Sequence, residues 1–181
     1  MDSLYSRRMI PLPIALLAPD PRVPIRPVRL TDSDSLLADC WPSRSFSVVY
    51  NLVQRAIRSV ADGRGLGIVV PGEGDRVVAY GQVLMWPSCA EISDMVVAEP
   101  QRGLGYGTAI IQTLVQKALK LGADEAEIGA SLDNPRAAAL YRRLGFEDSH
   151  SVLLNLGKGQ EHVLFLRLSL RQVQTTPARR E

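Results

Sequence analysis

Residues 95–122 hold the pattern that most narrows the choice of fold. An apolar strand ending Met95-Val96-Val97 runs through Ala98-Glu99-Pro100-Gln101 into Arg102-Gly103-Leu104-Gly105-Tyr106-Gly107-Thr108, and a helix follows at once. That helix, expected over 105–121, is amphipathic: Ile110, Leu114 and Ala118 share a face with Ile111, Val115 and Leu119. Gly122 stands where a C-terminal cap belongs. A strand, a glycine loop and a helix in direct succession deliver the unpaired N–H groups of the first helical turn, with their partial positive charge, to the end of a sheet. Glycine at 103, 105 and 107 removes the side chains that would hold a diphosphate away from those amides. Arg102 adds a fixed positive charge and Thr108 a hydroxyl donor. The spacing GxGxG is not the GxGxxG of dinucleotide-binding folds, and no Gly-Lys-Ser/Thr is present. The stretch reads as a phosphate cradle of another kind.

The tetrapeptide Arg-Gly-Leu-Gly also occurs at Arg64-Gly65-Leu66-Gly67. There it follows a helix and runs into the strand Ile68-Val69-Val70, so no helix N-terminus converges on it. The first copy is expected to be a turn opening a strand.

The rest of the chain frames this step. A strand is expected over 23–30, helix N-caps at Thr31-Asp32-Ser33-Asp34, a short helix over 35–40 and a longer one over 48–61. A hairpin follows, with strands over 65–70 and 76–86, then a strand over 90–97. Beyond the amphipathic helix come a strand over 125–130, a helix over 134–144 closed by Gly145, and strands over 151–156 and 162–170. The order is that of a mixed α/β domain. Residues 1–22 form a Pro-rich arm, 23–170 the domain and 171–181 a polar tail.

Composition excludes several classes. The formal net charge is only +2, with 21 basic residues set against 19 acidic ones, which argues against a nucleic-acid partner. Cys40 and Cys89 form no CxxC, and His150 and His162 sit in no ligand spacing, so no metal site and no histidine triad is expected. Unpaired thiols suit a reducing cytoplasm. Arg7-Arg8 and the apolar run after them imitate a secretory signal, but Pro11 and Pro13 break the helix it needs. No stretch approaches a membrane span.

Arg102-Gly103-Leu104-Gly105-Tyr106-Gly107 fits Gln/Arg-x-x-Gly-x-Gly/Ala, the pyrophosphate signature of the GNAT superfamily of acyl-CoA-dependent N-acetyltransferases. Residues 134–146, from Asn134 through Ala137 and Tyr141 to Gly145-Phe146, resemble that family's second signature, N-x-x-A-x-x-x-Y-x-x-x-G-F. Ile92-Ser93-Asp94-Met95-Val96-Val97 is similar to the strand preceding the first signature. The resemblance spans residues 23–170 and is most specific from 90 to 146. It implies a single-domain α/β fold with a mixed central sheet of six or seven strands flanked by helices, one strand being splayed at the cofactor site.

It also implies roles. Met95, Val96 and Val97 would offer backbone groups to the pantetheine arm of acetyl-CoA, one amide polarising the thioester carbonyl. Residues 102–108 would hold the diphosphate. Tyr141 would protonate the departing thiolate; the alternative is a half-buried tyrosine packing its helix. Asn134 is either a coenzyme A contact or a plain N-cap, and both can hold. The proton lost by the amine would go to a carboxylate at the splayed strand, Glu91 or Asp94. Glu91, eleven residues before Arg102, matches the base position of the histone-acetylating branch. Asp94 would lie on the opposite face of a regular strand, unless a bulge disturbs the parity. Cys89 is not needed, since the amine attacks the thioester directly in a ternary complex.

The acceptor, a small-molecule, peptide or protein amine, would enter opposite the cofactor, between residues 40–58 and the loop 156–161. Trp41, Tyr50 and Arg55 are candidates to line its site, and a monomer or homodimer is expected. An acyl-CoA sensor without catalytic activity is the competing reading.

Overall fold

The computed structural model describes residues 18–155 and 159–171. Residues 1–17 of the expected arm 1–22, the centre of the last loop at 156–158 and residues 172–181 of the expected tail 171–181 lie outside these. Seven strands form one mixed sheet: β1 (Arg26–Pro27), β2 (Gly65–Pro71), β3 (Val77–Met85), β4 (Cys89–Val97), β5 (Glu125–Ser131), β6 (Glu147–Asn155) and β7 (Gln160–Ser169). Their spatial order is β1-β2-β3-β4-β5-β7-β6. Among the described residues only β4 and β5 run parallel. The crossover between them is α3 (Tyr106–Lys120), the amphipathic helix read from the sequence. Among the described residues no helix is long and apolar enough to cross a membrane.

Side-chain alternation divides the core between the two faces of the sheet. Ile68 and Val70 of β2 pack with Ile110, Ile111 and Leu114 of α3, while Val69 between them joins Val49, Leu52, Val53 and Ala56. The latter four lie on α2 (Phe46–Ala61), whose apolar spacing buries one stripe. The short helix α1 (Ser33–Ser35) continues into a π turn over Leu36–Cys40, closed by Trp41 N–H donating to Leu36 C=O at 2.9 Å. Helix α4 (Pro135–Arg143) joins α3 on the other face, where Ala138 and Tyr141 enter the core.

The first glycine copy is confirmed as structural, for a reason beyond a turn. Gly63 makes the turn at φ +67°. Gly65 and Gly67 then sit two apart in β2 on the face under α2. A Cβ on Gly67 would lie 2.8 Å from Ala56 Cβ and 2.9 Å from Val28 Cγ1, and one on Gly65 would lie 2.5 Å from Ser59 Oγ. These glycines let the helix approach the strand closely. Gly67→Ala is therefore expected to destabilise by about 1–3 kcal/mol through overpacking. Urea denaturation reads this directly; a loss below about 0.5 kcal/mol would mean the contact relaxes freely.

Two expected elements differ in extent. The strand expected over 23–30 shrinks to Arg26–Pro27 at the sheet edge. Pro24 and Pro27 cannot donate to a ladder, and the Arg29 amide instead donates to Asp32 Oδ2 at 2.7 Å. Both Asp32 oxygens also accept from the Arg26 guanidinium, each at 2.8 Å, which turns the chain into α1. At the opposite edge, β6 starts at Glu147 rather than 151. Most of its residues are exposed, so the polar run Glu147-Asp148-Ser149-His150 needs no apolar alternation. His150 stacks on Phe165 of β7 with centroids 5.0 Å apart.

Candidate active site

Strands β4 and β5 pair only where Cys89–Ile92 face Glu125–Ile128. Beyond Ile128, β5 continues with β7, through Gly129↔Phe165 to Ser131↔Val163, while β4 stays with β3. The two strands part, and one edge of Ser93–Val97 is left without a strand partner. The splay expected from the signature is present.

Within that open stretch β4 bulges. Gln82 faces Ser93 but Tyr80 faces Val96, so Asp94 and Met95 together oppose the single residue Gly81. Asp94 takes the left-handed conformation, φ +53°, the only non-glycine described residue to do so. Gly81 makes room: a Cβ there would lie 2.5 Å from Met95 Sδ and 2.7 Å from Ile110 Cγ2. Past the bulge, Ala98 N–H donates to Val78 C=O at 2.8 Å. By alternation the Val96 backbone groups then face Tyr80, while those of Val97 turn to the open edge. Arg102 Nε donates to the Val97 carbonyl at 3.3 Å, tying the loop to the strand end.

The loop that follows is built on left-handed glycines. Gly103 and Gly105 have φ +85° and +86°, and a Cβ on either would meet nothing within 4 Å. The second copy of the tetrapeptide thus inverts the first: its glycines face open space and serve backbone conformation. The α3 ladder begins with Ala109 N–H to Gly105 C=O at 3.0 Å, so the amides of Tyr106, Gly107 and Thr108 precede it. Leu104 is exposed, Tyr106 packs partly against the core and Thr108 is half-buried. A Cβ on Gly107 would lie 3.6 Å from Leu140 of α4 and 3.8 Å from Val97, so cradle, strand end and second signature meet here.

Asn134 caps α4, its Oδ1 accepting from the Ala137 amide at 3.2 Å. The capping half of its expected role is thereby present. One residue past Leu140, Tyr141 is only 5% exposed and packs near the Phe146 ring, and burial pushes its phenol up to about 12. Among the described residues no fully buried side-chain oxygen or nitrogen lacks a partner. The Tyr141 hydroxyl, which bonds to no described residue, therefore opens onto accessible space.

On the α2 face of the splay lies a cavity of about 350 Å³ lined by residues of α2, β3 and β4, among them Arg55, Ser59, Gln82, Glu91, Ser93 and Asp94. Both candidate carboxylates line it. The opposite-face expectation for a regular strand fails because the bulge shifts parity between positions 91 and 94. Asp94 Oδ2 accepts from Gln82 Nε2 at 2.8 Å, and Gln82 Oε1 accepts from the Tyr80 hydroxyl at 2.8 Å. Burial raises the Asp94 pKa and Glu91 adds to the rise, while Arg44 and Arg55 pull against it. Glu91 accepts from Trp86 Nε1 at 3.0 Å, at a more exposed position. The supporting residues Tyr80, Gln82 and Trp86 were missed in the sequence. One signal was available: Gly81-Gln82 interrupts an otherwise apolar strand, and an isolated glycine there marks a bulge. A larger cavity of about 530 Å³, beside Asp39, Arg76 and residues 98–102, shares only Arg102 with the signatures.

Residues 31–146 match the acetyltransferase (GNAT) family. An uncharacterized N-acetyltransferase of Methanocaldococcus jannaschii is 38% identical over 63 residues, covering 35% of this chain and 28% of that protein. N-alpha-acetyltransferase MAK3 of Arabidopsis thaliana is 29% identical over 99 residues, covering 54% of this chain and 47% of its own. The chain thus spans less than half the length of these curated relatives. Among solved structures, ribosomal-protein-alanine N-acetyltransferase from Brucella melitensis superposes with a TM-score of 0.66 at 24% identity, over 82% of this chain and all of that one (100%). A spermidine N-acetyltransferase SpeG chimera from Vibrio cholerae and hSSAT gives 0.64 at 16%, over 84% and 97%.

Proposed function

Because this chain belongs to the acetyltransferase (GNAT) family, we propose that it transfers the acetyl group of acetyl-CoA to a primary amine by direct attack in a ternary complex. The observation that carries this reading is the pair of open, left-handed glycines at 103 and 105, set before three amides that precede the α3 ladder and beside the open edge of β4. Those features fit coenzyme A: the amides of Tyr106, Gly107 and Thr108, with Arg102, receive the diphosphate, and the outward backbone of Val97 pairs with the pantetheine arm. Asn134, the cap of the helix whose Leu140 reaches Gly107, is a further candidate contact. When bound, acetyl-CoA supplies an activated thioester.

The chain's own groups do the rest. An amide of the open edge, at Met95 or Val97, donates to the acyl oxygen and stabilises the charge that develops there. Asp94 takes the proton from the incoming ammonium group, and Gln82 holds its carboxylate in place. Glu91, on the same cavity wall, adds negative charge that attracts the ammonium. Tyr141, protonated at neutral pH as a phenol is and held so more firmly by burial, can give its proton to the leaving sulfur.

Release of free thiol from acetyl-CoA in the presence of an amine panel tests the reading. Tight coenzyme A binding without turnover on any amine would instead support an acyl-CoA sensor. Tyr141→Phe is expected to lower kcat about 10- to 100-fold while leaving the coenzyme A dissociation constant within about twofold of wild type. An unchanged rate would reduce Tyr141 to a packing residue of α4.

A further inference from the structure

The cavity that holds Asp94 and Glu91 also carries positive charge, at a separation that leaves it out of any ion pair with a described residue. Arg55 lines it from α2, and Arg44 lies close enough to act on the Asp94 charge. Arg44 is held in place by the Trp41 ring, its guanidinium carbon 5.0 Å from the ring centroid. Other arginines of the chain do pair: Arg26 with Asp32, Arg76 with Asp39, Arg142 with Asp148 and Arg167 with Glu127. Neither Arg44 nor Arg55 forms an ion pair with a described residue, although two carboxylates share the cavity wall with Arg55. Opposite charges on one cavity that do not close on each other leave a gap between them. A ligand that spans the gap with both signs of charge satisfies both walls at once.

Resting on the acetyl-transfer reading above, we infer that the acceptor is an amine bearing its own carboxylate, of the free amino-acid class. Its ammonium group sits against Asp94 and Glu91, and its carboxylate against Arg55 and Arg44. The guanidinium fork matches a carboxylate with two parallel hydrogen bonds, which fixes orientation as well as affinity. At about 350 Å³ the cavity lies at the small end of small-molecule sites, which suits a single amino acid. A polyamine is disfavoured by the same geometry, because its second ammonium group would approach Arg55. A peptide N-terminus presents a neutral amide where the arginines call for an anion.

The test compares matched acceptors by thiol release from acetyl-CoA: L-amino acids, their carboxamides, the amines lacking the carboxylate, and spermidine. The expected result is a kcat/KM for the preferred amino acid at least about tenfold above its carboxamide and its decarboxylated amine. Arg55→Gln and Arg44→Gln are expected to narrow that ratio towards unity, chiefly by raising KM for the amino acid. Carboxamides or spermidine acetylated as well as the amino acids would overturn the inference and leave acetyl transfer standing. A preference that survives both substitutions would overturn the arginine assignment. No thiol release with any of these amines would overturn this inference; release with a peptide or protein amine would then leave acetyl transfer standing, and its absence there too would overturn the transfer reading as well.

Discussion

Gly105→Glu is expected to raise the dissociation constant for coenzyme A by at least about a hundredfold, because it places a carboxylate at the proposed diphosphate site. Gly105 is the N-cap of α3 at φ +86°, and a Cβ built on it meets nothing within 4 Å. A side chain at this position therefore starts into open space, at the residue directly before the amides of Tyr106, Gly107 and Thr108 that precede the α3 ladder. The glutamate's negative charge then occupies the field that the helix N-terminus and Arg102 offer to an anion. The left-handed conformation does tax any side chain, by about 1–2 kcal/mol. Gly105→Ala carries the same strain without the charge or reach, and it serves as the control. Thermal melting should show similar small losses for the two variants, while calorimetric titration with coenzyme A separates them. If Gly105→Glu binds coenzyme A within about threefold of wild type, the diphosphate lies elsewhere. Gly67→Ala in the other copy of the tetrapeptide gives the converse result: lost stability and undiminished coenzyme A affinity.

That contrast shows what a sequence can carry. Four identical letters act oppositely at the two places, and their neighbours reveal it. A following strand means a glycine packed under α2; a following helix N-terminus means a glycine facing open space. The two signatures, the strand–loop–helix step and the caps at Gly122 and Gly145 were legible because each depends on local backbone geometry. The splay was legible only through the resemblance, since strand separation depends on where β5 leaves for β7. The extents of the edge strands β1 and β6 were not legible, because an edge can be short at a proline or polar on both faces. The parity of Glu91 and Asp94 was the most consequential gap. Counting along a regular strand separates them, and one residue of bulge opposite Gly81 reunites them on one cavity. Gln82 and Tyr80 stayed invisible for the same reason, as their link to Asp94 crosses between strands.

The bulge brings Asp94 onto the same cavity as Glu91, and its burial there makes it the proposed base. Asp94→Asn is expected to lower kcat/KM by about 10²- to 10⁴-fold in the thiol-release assay, since asparagine cannot accept the amine proton at that position. It should not destabilise the fold. Asparagine Oδ1 still accepts from Gln82 Nε2, and the substitution removes a charge that burial disfavours. Because burial places the folded-state pKa of Asp94 above its unfolded value, the ionised carboxylate opposes folding at pH above the folded-state value. That opposition fades as the pH falls through the folded-state value and is gone below the unfolded one. The melting temperature of Asp94→Asn should therefore equal or exceed wild type at neutral pH, and the difference should close on acidification. In the wild type, activity should rise with pH along a limb set above the ordinary carboxylate range, and the variant should lack that limb. Glu91→Gln provides the discriminating comparison. Glu91 lines the same cavity and accepts from the indole of the exposed Trp86, so its loss should weaken acceptor binding more than it slows turnover. A severe loss of kcat in Glu91→Gln with full activity in Asp94→Asn would reverse the assignment and restore the position that counting back from Arg102 favours.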